Sequence, residues 1–493
     1  MTGSPDLKDL NRRSKRGGMI TIGSQAVTML MQLTSTVVLA RMLTPDDYGV
    51  MGMVLSVVAL AAIFKDLGLS SAAIQKQNLT VEHQTNLFWI NSVFGLLLSG
   101  VVFAVAPAVA WFFGRPELTG MTWVLSLTFI FAGLGAQHNS MIVRNMQFGH
   151  QGIINVASIA VTFMVSVSLA ALDFGFWSLA WGHVAGAAGR TALAWSFSPF
   201  FPGLWKRRVG TKELLHFGAN VTGFNFVNYF SRNLDNVLIG KFAGADALGI
   251  YGRAYQLMML PIQSLRGPID AVTFPVLCKL QDKPEEWRRY HIQTLKVIAF
   301  LSMPLVAWMF LISSPLIIGL LGEQWAHVIP IFKILAIVAF VQPTSSMIGS
   351  ALLSVGNTKR YFMHGVVVSP ILAIAFAVGI IWGAEGVAWA YVAVIYVTLV
   401  PLLASTYRDT SVMVRDFFYS ISIPASISIT SLVITIVVMK QLEPFSNATE
   451  VLLKSAIYIG LFAISICAFP SSRKAISDAQ KTLKISIRRS WEK

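Results

Sequence analysis

The sequence predicts an all-α polytopic membrane protein of about fourteen transmembrane helices, arranged as two six-helix repeats plus two C-terminal helices. Three observations predict it. Hydrophobic residues make up 55% of the 493 and charged residues only 12%, the balance of a membrane chain rather than a soluble one. Apolar runs long enough to cross a bilayer recur along the whole length. One stretch, residues 218–257, has an ungapped counterpart at 18–57, 200 positions earlier.

Taken in order, residues 1–17 are polar and basic, and no cleavable signal peptide is evident. Apolar runs at 18–40, 47–64, 86–110, 121–140, 152–172 and 176–197 form an N-terminal six-helix bundle, 18–200. A cytoplasmic linker is expected at 201–213. Runs at 214–240, 247–278, 292–318, 327–353, 361–382 and 384–406 form the second bundle, 214–406. Runs at 416–439 and 451–469 form an extra helix pair, 416–469, and 470–493 is a basic tail suited to an anionic lipid surface. Cys278 and Cys467 offer no disulfide framework.

Lysine and arginine fix the orientation. With the N-terminus inside, twenty-seven of the 38 basic residues fall in cytoplasmic segments and only Arg41, Arg115, Lys241 and Lys440 fall outside. Both termini are therefore expected in the cytoplasm. The same bias accounts for the net charge of +15 without nucleic acid.

The remaining basic residues lie at or inside spans. Lys296 and Lys454 sit near helix ends, where long side chains snorkel. Arg190, Arg232, Arg253, Arg266 and Lys333 lie deeper, and the clear acids at that depth are Asp235 and Asp270. A charge in hydrocarbon is expensive, so an excess of cations predicts a wet, cationic cavity and an anionic substrate. Arg232 with Asp235, spaced i, i+3, also suits a structural ion pair.

Polar stripes fit that cavity. Asn225, Asn228, Arg232, Asp235 and Asn236 share one helical face. Two hundred residues earlier stand Gln25, Thr28, Gln32, Ser35 and Thr36. Arg253, Gln256, Gln263 and Asp270 follow a stripe in the eighth span, with Arg266 beside it; Pro261, Pro268 and Pro275 interrupt the same span. Broken helices in transporters border cavities, although proline kinks are also common in membrane helices generally.

His138, His183 and His364 show no metal spacing and read as core or interfacial residues. No Walker-type loop is present, so the chain is not expected to hydrolyse ATP. The predicted outward loops are too short for a sugar-polymerising enzyme domain, which argues for a transporter rather than an enzyme.

Several phrases carry a family resemblance: VVLARMLTPDDYGVMGMV, KDLGLSSAAIQ, RNMQF, RNLDNVLIGKFAGADALGIYGRAYQLMMLPIQ and FPVLCKLQD. Together they resemble polysaccharide transport proteins, the Wzx-type flippases of the multidrug/oligosaccharidyl-lipid/polysaccharide exporter (MOP) superfamily, in its colanic acid and succinoglycan exporter-like subgroup. The resemblance implies a MATE-like V shape, alternating access and a bacterial inner-membrane location. The implied substrate is an undecaprenyl-pyrophosphate-linked oligosaccharide for exopolysaccharide or lipopolysaccharide, with a polymerase and co-polymerase as partners.

On that reading the substrate contacts are Arg232, Arg253, Arg266, Arg190, Asn225, Asn228, Asn236, Gln25, Gln32, Gln256 and Gln263. Amides suit sugar hydroxyls, and arginine's fork suits pyrophosphate. Asp235 and Asp270 are the candidates for proton or sodium coupling, against a simpler role of neutralising nearby arginines. No metal or organic cofactor is expected. A multidrug or cation antiporter and a lipid-II-type flippase of the same superfamily stay open, and a membrane polymerase is the alternative from another class.

Overall fold

The computed structural model describes residues 7–65, 69, 70, 73, 79–206, 233–442 and 447–468; the side chains of 7–22, 260, 261, 264–266, 268, 271, 447 and 448 fall outside that description. The described elements are helices: α1 Leu7–Met42, α2 Pro45–Ala62, α3 Val81–Phe113, α4 Glu117–Arg144, α5 Phe148–Ala170, α6 Phe176–Phe197, α7 at 233–242 and α8 Gly244–Lys279. They continue as α9 Pro284–Leu311, α10 Ser313–Leu321, α11 Val328–Ser345, α12 Met347–Ser354, α13 Thr358–Gly379, α14 Gly383–Tyr407, α15 Val414–Lys440 and α16 Asn447–Ala468. Among the described residues, nine helical stretches are long and apolar enough to cross a membrane. With no water in hydrocarbon, a chain satisfies its backbone there by closing helices on themselves. This is a multi-pass membrane protein.

Two compact units divide the chain, Met1–Gly249 and Ile250–Lys493. In the first, α2 starts where its sequence dictates. Thr44 is the N-cap, its backbone N–H donates to Asp47 Oδ2 (2.9 Å), the Asp47 N–H donates back to Thr44 Oγ1 (3.2 Å), and Pro45 opens the helix. Helix α3 lies along α4, α1 along α5, and α6 packs against both α4 and α5.

Small residues seat α6 on α5. A Cβ on Gly182 would overlap Ser166 Oγ, and one on Gly186 would overlap Thr162 Oγ1; close approach of this kind replaces the hydrophobic drive that lipid cannot supply. On its other flank, Thr191 Oγ1 donates to the Phe131 carbonyl (2.7 Å) and Trp195 Nε1 to the Leu134 carbonyl (2.9 Å), both on α4.

In the second unit, α9 packs on α15 and α11, while α13 pairs with α14. Its core joins Trp287, Leu295, Ile298 and Met303 of α9 to Leu403 and Tyr407 of α14 and Phe417 of α15. Several polar groups in this unit find partners. Trp287 Nε1 donates to Ser354 Oγ (3.2 Å), and Trp308 Nε1 to Ser455 Oγ (2.9 Å). Arg288 is held by Asp416 at 3.1 Å. The last helix pair joins the unit through α15 on α9 and α16 on α15.

Candidate functional site

Helix α6 departs from the other long helices. Of the fully described helices of 18 or more residues, it alone lies outside the nine apolar stretches. Yet it runs beside α4 and α5, both of which are apolar enough to cross. Arg190 is exposed on it, seven residues before its end at Phe197, which is about 10 Å along the axis. Among the described residues its guanidinium has no hydrogen-bond or ion-pair partner. A guanidinium at such depth in hydrocarbon costs about 3 kcal/mol even on the lenient insertion scale. The exposed face of Arg190 therefore meets water or an anion rather than lipid.

The other predicted contacts distribute as follows. Gln25 and Gln32 are exposed on α1, seven residues apart and so on one face. Asp235 is buried on α7 and its Oδ1 accepts the Asn236 backbone N–H (2.8 Å); the Asn236 side chain is half-buried. On α8, Arg253 Nη1 donates to Gln256 Oε1 (2.5 Å), so these two of the predicted contacts are brought together. Gln263 is exposed on the same helix and Asp270 half-buried. Arg266 lies on α8 with its side chain outside the described residues, and Asn225, Asn228 and Arg232 lie outside them altogether.

Other cations within the helices have partners nearby. Lys333 sits over the Phe310 ring at 5.9 Å and Lys296 over Tyr419 at 5.8 Å, as cation–π contacts. Lys454 pairs with Glu450 one turn away. His138 is fully buried and stacks on Trp195 at 4.2 Å, and the half-buried His364 shares a hydrogen bond with Ser405 Oγ (3.0 Å). His183 is exposed on α6, a placement the residue by itself does not show. The signal that could have found it is its spacing, seven residues from Arg190, which places both on one face. Among the described residues, no group of three or more His, Cys, Asp or Glu could hold a metal ion.

A further contact lies where α2 meets the start of α8, inside the first unit. The Ala245 carbonyl occupies the space a Cβ on Gly49 would need, and the Pro45 carbonyl occupies that of Gly249. The contact is reciprocal at the offset of 200: 45 pairs with 249 and 245 with 49. Only glycine lets the two backbones come this close. Beside it, Arg115 bridges Asp46 (2.6 Å) and Glu117 (3.0 Å), and the bond to Asp46 raises the guanidinium above its ordinary pKa.

Residues 38–330 match the family described as polysaccharide biosynthesis protein. The chain is 26% identical over 421 residues to the lipopolysaccharide biosynthesis protein WzxC of Escherichia coli K12, covering 82% of this chain and 83% of that protein. It is 26% identical over 466 residues to the teichuronic acid biosynthesis protein TuaB of Bacillus subtilis 168, covering 92% and 95%. The succinoglycan biosynthesis transport protein ExoT of Rhizobium meliloti 1021 is 25% identical, with 86% and 85% covered.

Among solved structures, the fold is similar to that of the lipid II flippase MurJ in an inward closed conformation, with TM-score 0.75, 15% identity, and 91% and 99% of the two chains covered. It is also similar to an inward-facing MATE-family multidrug transporter of the MOP superfamily, with TM-score 0.60, 15% identity, and 77% and 94% covered. These two likenesses concern the fold. The match over 38–330 covers more than half of the sequence, and the chain belongs to the polysaccharide biosynthesis protein family.

Proposed function

We propose that this protein is a flippase that moves undecaprenyl-pyrophosphate-linked oligosaccharide units across a bacterial inner membrane by alternating access, for exopolysaccharide or lipopolysaccharide assembly. One observation carries the reading: Arg190 is exposed at membrane depth and has no hydrogen-bond or ion-pair partner among the described residues, in a chain of the polysaccharide biosynthesis family. A pyrophosphate supplies the anion that a buried-depth arginine lacks. Gln25 and Gln32, exposed on one face of α1, offer donors and acceptors to sugar hydroxyls.

The finer parts of the proposal follow from this reading. Fourteen spans in two like-built halves, with both termini cytoplasmic, give the substrate a polar route; the reciprocal contact of Gly49 and Gly249 supports the internal duplication. Arg232, Arg253 and Arg266 serve as further phosphate contacts. Asp235 and Asp270 couple movement to a proton or sodium gradient, and a transport rate indifferent to pH and sodium removes that part. A polymerase and its co-polymerase take the product.

The test is a strain lacking the gene. It should accumulate its lipid-linked oligosaccharide on the cytoplasmic side and regain export when the full chain is restored. An unchanged distribution of that lipid in the deletion strain would contradict the reading.

A further inference from the structure

Helix α6 has two open strips on opposite sides. Its flanks are taken: Gly182 and Gly186 meet α5, while Thr191 and Trp195 meet α4. One strip between those flanks shows Trp181, 41% exposed, and Ala192, also exposed. The other shows His183 and Arg190. His183 is two positions from Trp181 and Arg190 two from Ala192, and two positions on a helix turn a side chain nearly to the opposite side. Tryptophan and alanine suit lipid; an arginine does not. The strip of His183 and Arg190 is therefore the one turned away from hydrocarbon.

The two residues are placed evenly. His183 is seven residues after the start of α6 and Arg190 seven before its end, so they stand about 10 Å from either end and about 10 Å apart. Between them the strip carries Ala187, nothing larger than a methyl group. Among the described residues neither His183 nor Arg190 has a hydrogen-bond or ion-pair partner. Arginine offers five donors and no acceptor, and imidazole offers at least one N–H in either protonation state. Two unsatisfied donor groups in line, with no carboxylate bonded to either, recognise an anion and not a cation.

We propose that His183 and Arg190 form a two-rung anion track on α6, which hands the phosphate groups of the substrate from one depth of the membrane to the next. The proposal rests on the flippase reading and adds His183 as a specificity-determining contact. Each rung donates to phosphate oxygens. The small residue between them leaves the strip open to the attached sugar.

Single cysteines test it in the full chain, with Cys278→Ser and Cys467→Ser as background. The variants are His183→Cys, Arg190→Cys, Trp181→Cys and Ala192→Cys, exposed to a membrane-impermeant, anionic methanethiosulfonate. A hydrated thiol ionises far more readily than one in lipid, so positions 183 and 190 should react at least about tenfold faster than 181 and 192. Inorganic pyrophosphate should slow modification at 183, and adding Arg190→Gln should remove that protection.

Equal reaction on the two strips, or no protection by pyrophosphate, overturns the track. Export is the separate arm. His183→Leu should lower it about tenfold, the worth of a hydrogen bond to a charged group, while His183→Gln, which keeps an N–H, should retain most of it. Export unaffected by His183→Leu removes the specificity role. If the unaltered chain fails to restore export, the flippase reading falls, while the labelling contrast and pyrophosphate protection still decide the track.

Discussion

Helices α6 and α9 carry the same kinds of polar residue and use them differently. On α9, His291 is fully buried, its Nε2 shares a 2.9 Å hydrogen bond with the Tyr407 hydroxyl, and its ring stacks on Trp287 at 5.0 Å. Arg288 is matched by Asp416, and Lys296 lies over Tyr419. On α6, His183 and Arg190 are exposed and have no such partners among the described residues. The difference separates two reasons for a polar residue in a membrane helix. Matched groups hold helices together, because leaving a buried polar group unpaired costs more than making its bond gains. Unmatched, exposed groups need water or a ligand, and their cost is justified by what passes them.

The largest effect should come from erasing the α6 side of that contrast. Arg190→Gln with His183→Leu removes two donors to a charged group, so export should fall about a hundredfold while the chain still inserts. A deletion strain carrying the variant, with membrane protein measured in parallel, checks both parts. Arg190→Lys should retain less than a conservative exchange suggests, since lysine lacks the planar fork.

Next comes the seat of α6. Gly186→Val forces methyl groups onto Thr162 Oγ1 and should cost about 2 kcal/mol in thermal unfolding, as overpacking does. The α9 side should respond in stability and not in transport. Tyr407→Phe strips His291 of its partner and should cost about 1–2 kcal/mol with export near that of the unaltered chain. Smallest is Arg115→Gln. Its ion pairs with Asp46 and Glu117 are roughly one-third exposed, so the loss should stay below about 1 kcal/mol and shrink further in salt.

Much of the fold was legible in the sequence, because a helix that crosses lipid must be long and apolar and so marks itself. Arg190 was legible for the converse reason: a charge inside such a run stands out. His183 was not. A single histidine in an apolar helix reads as core or interfacial, and His138 is of the first kind, lying fully buried against Trp195. Only the exposure of two opposite strips on α6 tells the two histidines apart. The repeated glycines at 49 and 249 were visible as identities. Their reason, a carbonyl of the other segment lying where each Cβ would be, depends on long-range packing that local sequence does not encode. Arg253 and Gln256 were legible as neighbours on one stripe, but that Arg253 donates to Gln256 one turn away is decided by side-chain rotamers.

The most direct test of the account is movement of a pyrophosphate-linked oligosaccharide lipid between the leaflets of proteoliposomes that contain the full chain. The unaltered protein and Tyr407→Phe should move it at similar rates, and Arg190→Gln should slow it at least about tenfold. No movement by the unaltered protein, or equal rates for it and Arg190→Gln, would contradict the account.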